Sequence, residues 1–275
     1  MGNGKENNRE RKRIVVKLGT STLTHKTGKL NIRRIERLVK NLADLHNAGN
    51  ELLIVSSGAV GLGMAKLNLM QKPKETPLKQ ACAAIGQCEL MYFYDKLFSD
   101  YSLNVAQVLL TKYVLLEDRR VNVQNALEEL LAHNVIPIVN ENDTVAIDEL
   151  ELEVGENDSL AATVATLVNA DLLIIMSDID GLYDSDPRSN EDARLIPVVH
   201  EITDEIRELA GGAGSKLGTG GMKTKITAAE IANSHGIDMV IVNGRNPDNL
   251  YDVFEKGAGT LFKAQKQEDK VSEQD

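Results

Sequence analysis

Tryptophan is missing from this chain, and only four Phe and six Tyr occur among its 275 residues, so its core must be built from aliphatic side chains. Long apolar runs are missing too. Nothing approaches the ~18 residues of a membrane-spanning helix, and the charged start MGNGKENNRERKR lacks the apolar segment of a secretory leader. Cysteine is scarce: Cys82 and Cys88 stand six positions apart in a predicted helix, on different faces, a spacing that suits neither a disulfide nor a zinc site. Both are expected to be buried free thiols, in a reducing, cytoplasmic setting. Positive charge is also short, with 31 Lys and Arg against 41 Asp and Glu for a net charge of -10. Nucleic-acid binding needs clustered cations and is disfavoured. An anionic substrate would need a local concentration of positive charge, because screening over roughly 10 Å lets a local field outweigh the global sign.

What the chain does have is a regular alternation. Short β-branched or aliphatic runs recur as RIVVKLG, ELLIVSSG, NVAQVLLT, VIPIVN, DLLIIMSD, DMVIVNG and GTLF. Between them lie helical patterns. Ile32, Ile35, Leu38, Val39, Leu42 and Leu45 share one face, and further helices are predicted over 77–99, 117–133, 159–169 and 222–235. Strands alternating with helices predict an α/β fold with a mainly parallel central sheet sandwiched by helices. Ligands of such folds bind outside the carboxyl ends of the strands. We expect one domain over residues 13–265, a flexible arm at 1–12 and a flexible tail at 266–275.

The predicted strand ends are polar or glycine-rich. SSGAVGLGMA places Gly58, Gly61 and Gly63 where a backbone can approach an anion closely, although a simple tight turn explains such a segment equally well. GSKLGTGGMKTK sets glycines immediately before a helix, with Lys216, Lys223 and Lys225 nearby, a combination suited to phosphate. Lys17 interrupts an otherwise aliphatic strand, either at the ligand crevice or at an exposed strand edge. The tripeptide Glu-Asn-Asp occurs twice, at Glu141–Asp143 and Glu156–Asp158, as a candidate for ligand contacts or for turns and helix caps.

Several chemistries lack their signatures. The first strand has no G-x-G-x-x-G, the chain has no P-loop, and neither H-E-x-x-H nor G-x-S-x-G occurs. SDIDGLYDSDPR fails the calcium-loop register, so Asp184 and Asp186 are expected to shape a turn.

The segments VVKLGTSTLT, IVSSGAVGLGMAKL, AAIGQCELM, VIPIVNENDTVA, GENDSLAA, SDIDGLYDSDPR and GTGGMKTKI, in this order, resemble the glutamate 5-kinase branch of the amino acid kinase family. The resemblance spans about residues 13–265. It implies ATP-dependent phosphorylation of the side-chain carboxylate of L-glutamate, with Mg²⁺ accompanying the nucleotide, as the first step of proline synthesis. Many members carry an additional C-terminal PUA domain, for which this sequence offers no counterpart. By motif position, Lys17 and Lys225 would face the phosphates and Asp158 would organise them. Ser57, Asn140, Asp143 and Asn157 would hold glutamate. Ser177, Asp178 and the loop Thr219, Gly220, Gly221, Met222, Lys223, Thr224 and Lys225 would hold ATP together with Lys17, and Gly19 and Gly58 would cradle phosphate. The resemblance also implies a homo-oligomer, and the reactivity of an acyl phosphate suggests transient contact with the reductase that consumes it.

The chemistry agrees with these roles. A carboxylate nucleophile is ionised near neutral pH and needs no general base, so the main obstacle is bringing two anions together. Asp143 suits a free ammonium, while Asn157 can serve an amine or a carboxylate. The rivals are a kinase for aspartate or N-acetylglutamate, and a nucleotide sensor without turnover. Two retained lysines argue against the sensor.

Overall fold

The computed structural model describes residues 12–25, 27–111, 117–145, 157–211 and 221–265. The chain opens with strand β1 (Arg13–Leu18), the short helix α1 (Thr20–Leu23) and α2 (Ile32–Asn47), capped by the Asn31 side chain, which accepts from the Arg34 amide. It continues through β2 (Glu51–Ser56), α3 (Ala59–Lys66), α4 (Thr76–Ser99), β3 (Asn104–Leu110), α5 (Glu117–Ala132), β4 (Val135–Glu141), α6 (Asn157–Leu167) and β5 (Leu172–Ser177). The last part holds β6 (Val198–Val199), α7 (Asp204–Gly211), α8 (Met222–Asn233), β7 (Asp238–Asn243), α9 (Asn249–Glu255) and β8 (Thr260–Phe262).

The described strands form one eight-stranded sheet in the order β3-β4-β2-β1-β5-β7-β8-β6. All neighbours are parallel except β7 and β8. The chain works outward from β1 to one edge, returns at β4 and crosses to the other half with β5. The crevice beside β1 is therefore where connections part, the usual place for a ligand in such sheets.

Alternation along each strand divides the core in two, because successive side chains point to opposite faces. Ile14, Val16, Leu18, Leu52, Ile54, Ile174 and Met176 pack with α2, α4 and α9 through Leu38, Leu42, Leu90, Phe98 and Leu250. Val15, Leu53, Val55, Leu173 and Ile175 pack with α5, α6 and α8 through Leu127, Ala161, Ala165, Ile226 and Ala229. Both layers are mainly aliphatic, with Tyr94 and Phe98 in the first and Phe262 in the second. Each fully buried Leu, Ile or Val contributes about 1.5–3 kcal/mol by leaving water.

Two readings of the sequence need correction here. Cys82 is buried but Cys88 is exposed: the buried stripe of α4 runs through Cys82, Ala83, Gly86, Gln87, Leu90, Tyr94 and Phe98, and Cys88 falls off it. Gly63 serves helix packing, not an anion. A Cβ there would stand 1.8 Å from the Cys82 carbonyl oxygen, and one on Gly86 would stand 1.7 Å from the Ala59 carbonyl oxygen. Two glycines therefore let the backbones of α3 and α4 cross closely. Gly58 is the N-cap of α3 with φ of 106°, a left-handed conformation that disfavours other residues. The expected turn at Asp184 and Asp186 is present: Asp184 pairs with the Arg194 backbone, and the Asp186 carboxylate accepts from the Arg188 amide.

Candidate active site

The carboxyl ends of β1, β2, β4 and β5 lie side by side, and they gather most of the candidate residues. Lys17 is the penultimate residue of β1. The pleat turns it toward the layer containing α6 and α8, so an ammonium group enters what is otherwise a seam of Val, Ile and Ala. Asp158 stands in the first turn of α6, where the positive end of the helix dipole favours a carboxylate. Lys225 stands in the first turn of α8, which packs along α6.

These three side chains meet. Lys17 Nζ is 2.7 Å from Asp158 Oδ1, and Lys225 Nζ is 3.1 Å from Asp158 Oδ2. Thr224 Oγ1 adds a contact of 3.0 Å to Asp158 Oδ2 and lies 2.8 Å from the Gly221 carbonyl oxygen, tying the α8 N-terminus to α6. All three charged groups are withdrawn from water: Asp158 is 0% exposed, Lys225 2% and Lys17 8%. Burial by itself would push the Asp158 carboxyl up, but the charges of Lys17 and Lys225 outweigh it and hold the group below the usual carboxylate range. One carboxylate between two ammonium groups leaves this cluster with an excess of positive charge.

A second cluster adjoins it at the ends of β2 and β4. The Asn157 side-chain amide donates to Ser57 Oγ at 2.8 Å, to Asn140 Oδ1 at 3.1 Å and to the Ser56 carbonyl at 3.3 Å. Asn140 in turn accepts from the Glu141 amide and donates to Gln87 Oε1, both at 2.9 Å. Ser56 Oγ pairs with the buried Tyr94 hydroxyl at 2.9 Å. Ser57, Asn140 and Asn157 are thus brought together, and consecutive residues Asn157 and Asp158 carry the two clusters. Asp143 sits in the turn beyond β4, half-buried and three residues past Asn140. Glu141 is the last residue of β4, while Glu156 lies outside the described residues.

Of the residues expected to hold ATP, Ser177 closes β5, 7% exposed, with Oγ 3.3 Å from the exposed Asp178 carboxylate. Gly19 follows β1, and a Cβ there would lie 3.8 Å from Lys17 Nζ. Gly221 is the N-cap of α8. Met222 packs against the core and Lys223 is exposed, so these two point differently from Thr224 and Lys225. Thr219 and Gly220 lie outside the described residues. Gln87 lies in the segment AAIGQCELM, but the sequence gives it no role of its own. Its available signal is a polar residue on the buried stripe of α4, one turn from Ala83 and Leu90.

The chain belongs to the amino acid kinase family, whose profile matches residues 12–243. Solved structures agree at the level of the fold. A carbamate kinase from Giardia lamblia bound to AMP-PNP has a TM-score of 0.67 at 18% identity, with 93% of this chain and 99% of that one covered. The UMP kinase of Ureaplasma parvum has a TM-score of 0.59 at 16% identity, covering 92% and 99%.

Sequence relatives narrow the placement. The glutamate 5-kinase of Clostridium perfringens is 55% identical over 264 residues, covering 94% of this chain and 98% of that protein. The glutamate 5-kinase of Caldanaerobacter subterraneus is 53% identical over 253 residues, covering 91% of this chain and 67% of that longer protein. Within the family, the chain belongs with the glutamate 5-kinases. Among the described residues, no helix is long and apolar enough to cross a membrane.

Proposed function

We propose that this chain transfers the γ-phosphoryl group of ATP to the side-chain carboxylate of L-glutamate, forming L-glutamyl 5-phosphate and ADP, the first step of proline biosynthesis. The observation that carries the mechanism is the buried Lys17–Asp158–Lys225 cluster. A carboxylate oxygen attacks the γ-phosphorus, the bond from that phosphorus to the β,γ-bridging oxygen breaks, and ADP takes the electron pair. No proton needs to move to make the nucleophile. The work is electrostatic: Lys17 and Lys225 offset the charge of two approaching anions and of the phosphoryl oxygens between them. Asp158 contacts both ammonium groups and fixes their direction.

Ser57, Asn157 and Asp143 hold the amino acid, with Asp143 meeting its ammonium group. Gly19 and Gly58 offer close backbone approach to phosphate. Ser177, Asp178 and residues 219–225 accommodate the nucleotide. Among the described residues, no group of three His, Cys, Asp or Glu side chains forms a metal cage, and both Asp158 oxygens are engaged by lysines. That donor set fits an Mg²⁺ ion held by nucleotide phosphates and water, as this hard, reluctantly dehydrated cation usually is. When bound it would neutralise phosphate charge.

The test is incubation of purified protein with ATP, Mg²⁺ and hydroxylamine plus L-glutamate, L-aspartate or N-acetylglutamate, with hydroxamate and ADP measured. L-Glutamate is expected to give both products. Hydroxamate from L-aspartate or N-acetylglutamate alone would replace the substrate, and nucleotide binding without ADP would support a sensor.

A further inference from the structure

We infer that Gln87 is a positioning residue that acts through Asn140 to turn the carbonyl of Asn157 toward the ammonium group of the bound amino acid. The inference rests on the substrate reading proposed above. Its basis is the polarity of the side-chain amides, which two backbone groups set. The Ser56 carbonyl only accepts, so the atom of Asn157 that faces it at 3.3 Å is Nδ2. The Glu141 N–H only donates, so the atom of Asn140 that faces it at 2.9 Å is Oδ1.

The rest follows along the relay. Asn140 Oδ1 is the atom that receives Asn157 Nδ2 at 3.1 Å, which leaves Asn140 Nδ2 directed at α4 and in need of an acceptor. Gln87 Oε1 provides it at 2.9 Å. Gln87 is 8% exposed and Asn140 3% exposed, so water does not readily substitute. The arrangement leaves Gln87 Nε2 buried without a hydrogen-bond partner among the described residues. An unpaired buried donor is unfavourable, and Met or Leu would fill the same place without one. What glutamine supplies that they cannot is the acceptor for Asn140.

At the far end, the two amide hydrogens of Asn157 are shared among Ser57 Oγ, Asn140 Oδ1 and the Ser56 carbonyl. Its Oδ1 receives no hydrogen bond from another described residue and remains an acceptor for a ligand. Sequence alone left Asn157 able to serve an amine or a carboxylate. With this polarity it presents an acceptor, which favours an ammonium group. Gln87 touches no reacting atom in this scheme. It holds the residue that holds Asn157.

Steady-state kinetics of the Gln87→Met and Gln87→Glu variants test the inference. Loss of the acceptor in Gln87→Met should raise KM for L-glutamate about tenfold, the factor of one neutral hydrogen bond. Its kcat and KM for ATP should stay near wild type. Gln87→Glu retains an oxygen for Asn140 Nδ2 whether ionised or protonated, and should restore KM most of the way. If Gln87→Met does not fold, Gln87→Asn carries the same expectation, because its shorter side chain cannot reach Asn140. An unchanged KM, or equal losses of kcat and melting temperature in both variants at constant KM, would overturn the inference and leave Gln87 a packing residue. Wild-type protein measured in parallel separates the two failures, since absence of L-glutamate turnover there would sink the substrate reading itself.

Discussion

Strand β1 carries a buried-side cation at each end, and the two are held in opposite ways. At the amino end, Arg13 is shared by two carboxylates: Nε meets Glu51 at 2.6 Å, while Nη1 and Nη2 meet Glu128 at 2.7 and 3.0 Å. A further Nη1 hydrogen bond goes to the Val168 carbonyl. At the carboxyl end the ratio is reversed, and Asp158 is shared by Lys17 and Lys225. The first cluster has negative charge in excess, with the guanidinium fork filled by fixed acceptors. The second has positive charge in excess and uses ammonium groups, point charges that can turn toward a phosphate. Depth separates them as well: the Arg13 and Glu128 side chains remain 20% and 39% exposed, against 1% for Asp158. A closed cluster ties β1 to β2 and α5. The other lies deeper and joins β1 to α6 and α8, and under the proposed function its two lysines meet the phosphates.

Substitutions should break this contrast in a graded way. The largest effect is expected for Asp158→Asn, which strands two ammonium groups out of water and should cost about 3–5 kcal/mol in a urea titration. Because the folded-state pKa of Asp158 is lowered, its ionisation stabilises the protein above the unfolded-state pKa, and that stability is lost as pH falls through the folded value. The acid limb of the stability curve should therefore flatten in Asp158→Asn. Next comes Lys225→Met. Its kcat should fall about 10²–10³-fold, the usual loss for one preorganised transition-state donor, with KM for glutamate changed far less. An unchanged kcat would remove Lys225 from the catalytic set.

Arg13→Met should show the reverse profile, losing about 1–3 kcal/mol of stability, toward the lower end because its partners are partly solvated, with kcat intact. Loss of kcat at wild-type stability would erase the distinction between the two ends of β1. Smallest should be Lys66→Ala. That residue pairs with Glu89 from a side chain that is 52% exposed, and exposed pairs of this kind contribute little. Melting temperature and kcat should both match wild type.

Much of this was legible in the chain. Short β-branched or aliphatic runs and period-3.6 patterns located the principal strands and the long helices to within a few residues. A lysine in an aliphatic strand and glycines before α8 marked the strand-end crevice. What escaped was short or depended on distant partners. The two-residue strand β6 has too little sequence to carry a pattern, and it exists because β8 offers it an edge. Gly63 read as a place for an anion because the reason for a missing Cβ lies in another helix, at Cys82. Cys88 read as buried because residue type alone does not define which stripe of α4 faces inward.

Sequence alone thus determined the alternating α/β plan, the aliphatic core and the candidate residues, since periodicity and residue chemistry act locally. Tertiary structure decided which charges share a partner and which way each amide points. Lys17 and Lys225 are brought within about one hydrogen-bond length of the Asp158 carboxylate by the packing of β1, α6 and α8. The direction of Asn157 is set by a carbonyl at the end of β2 and a relay through β4 to α4. Such pairings depend on separations across the sheet, and no spacing along the chain encodes them.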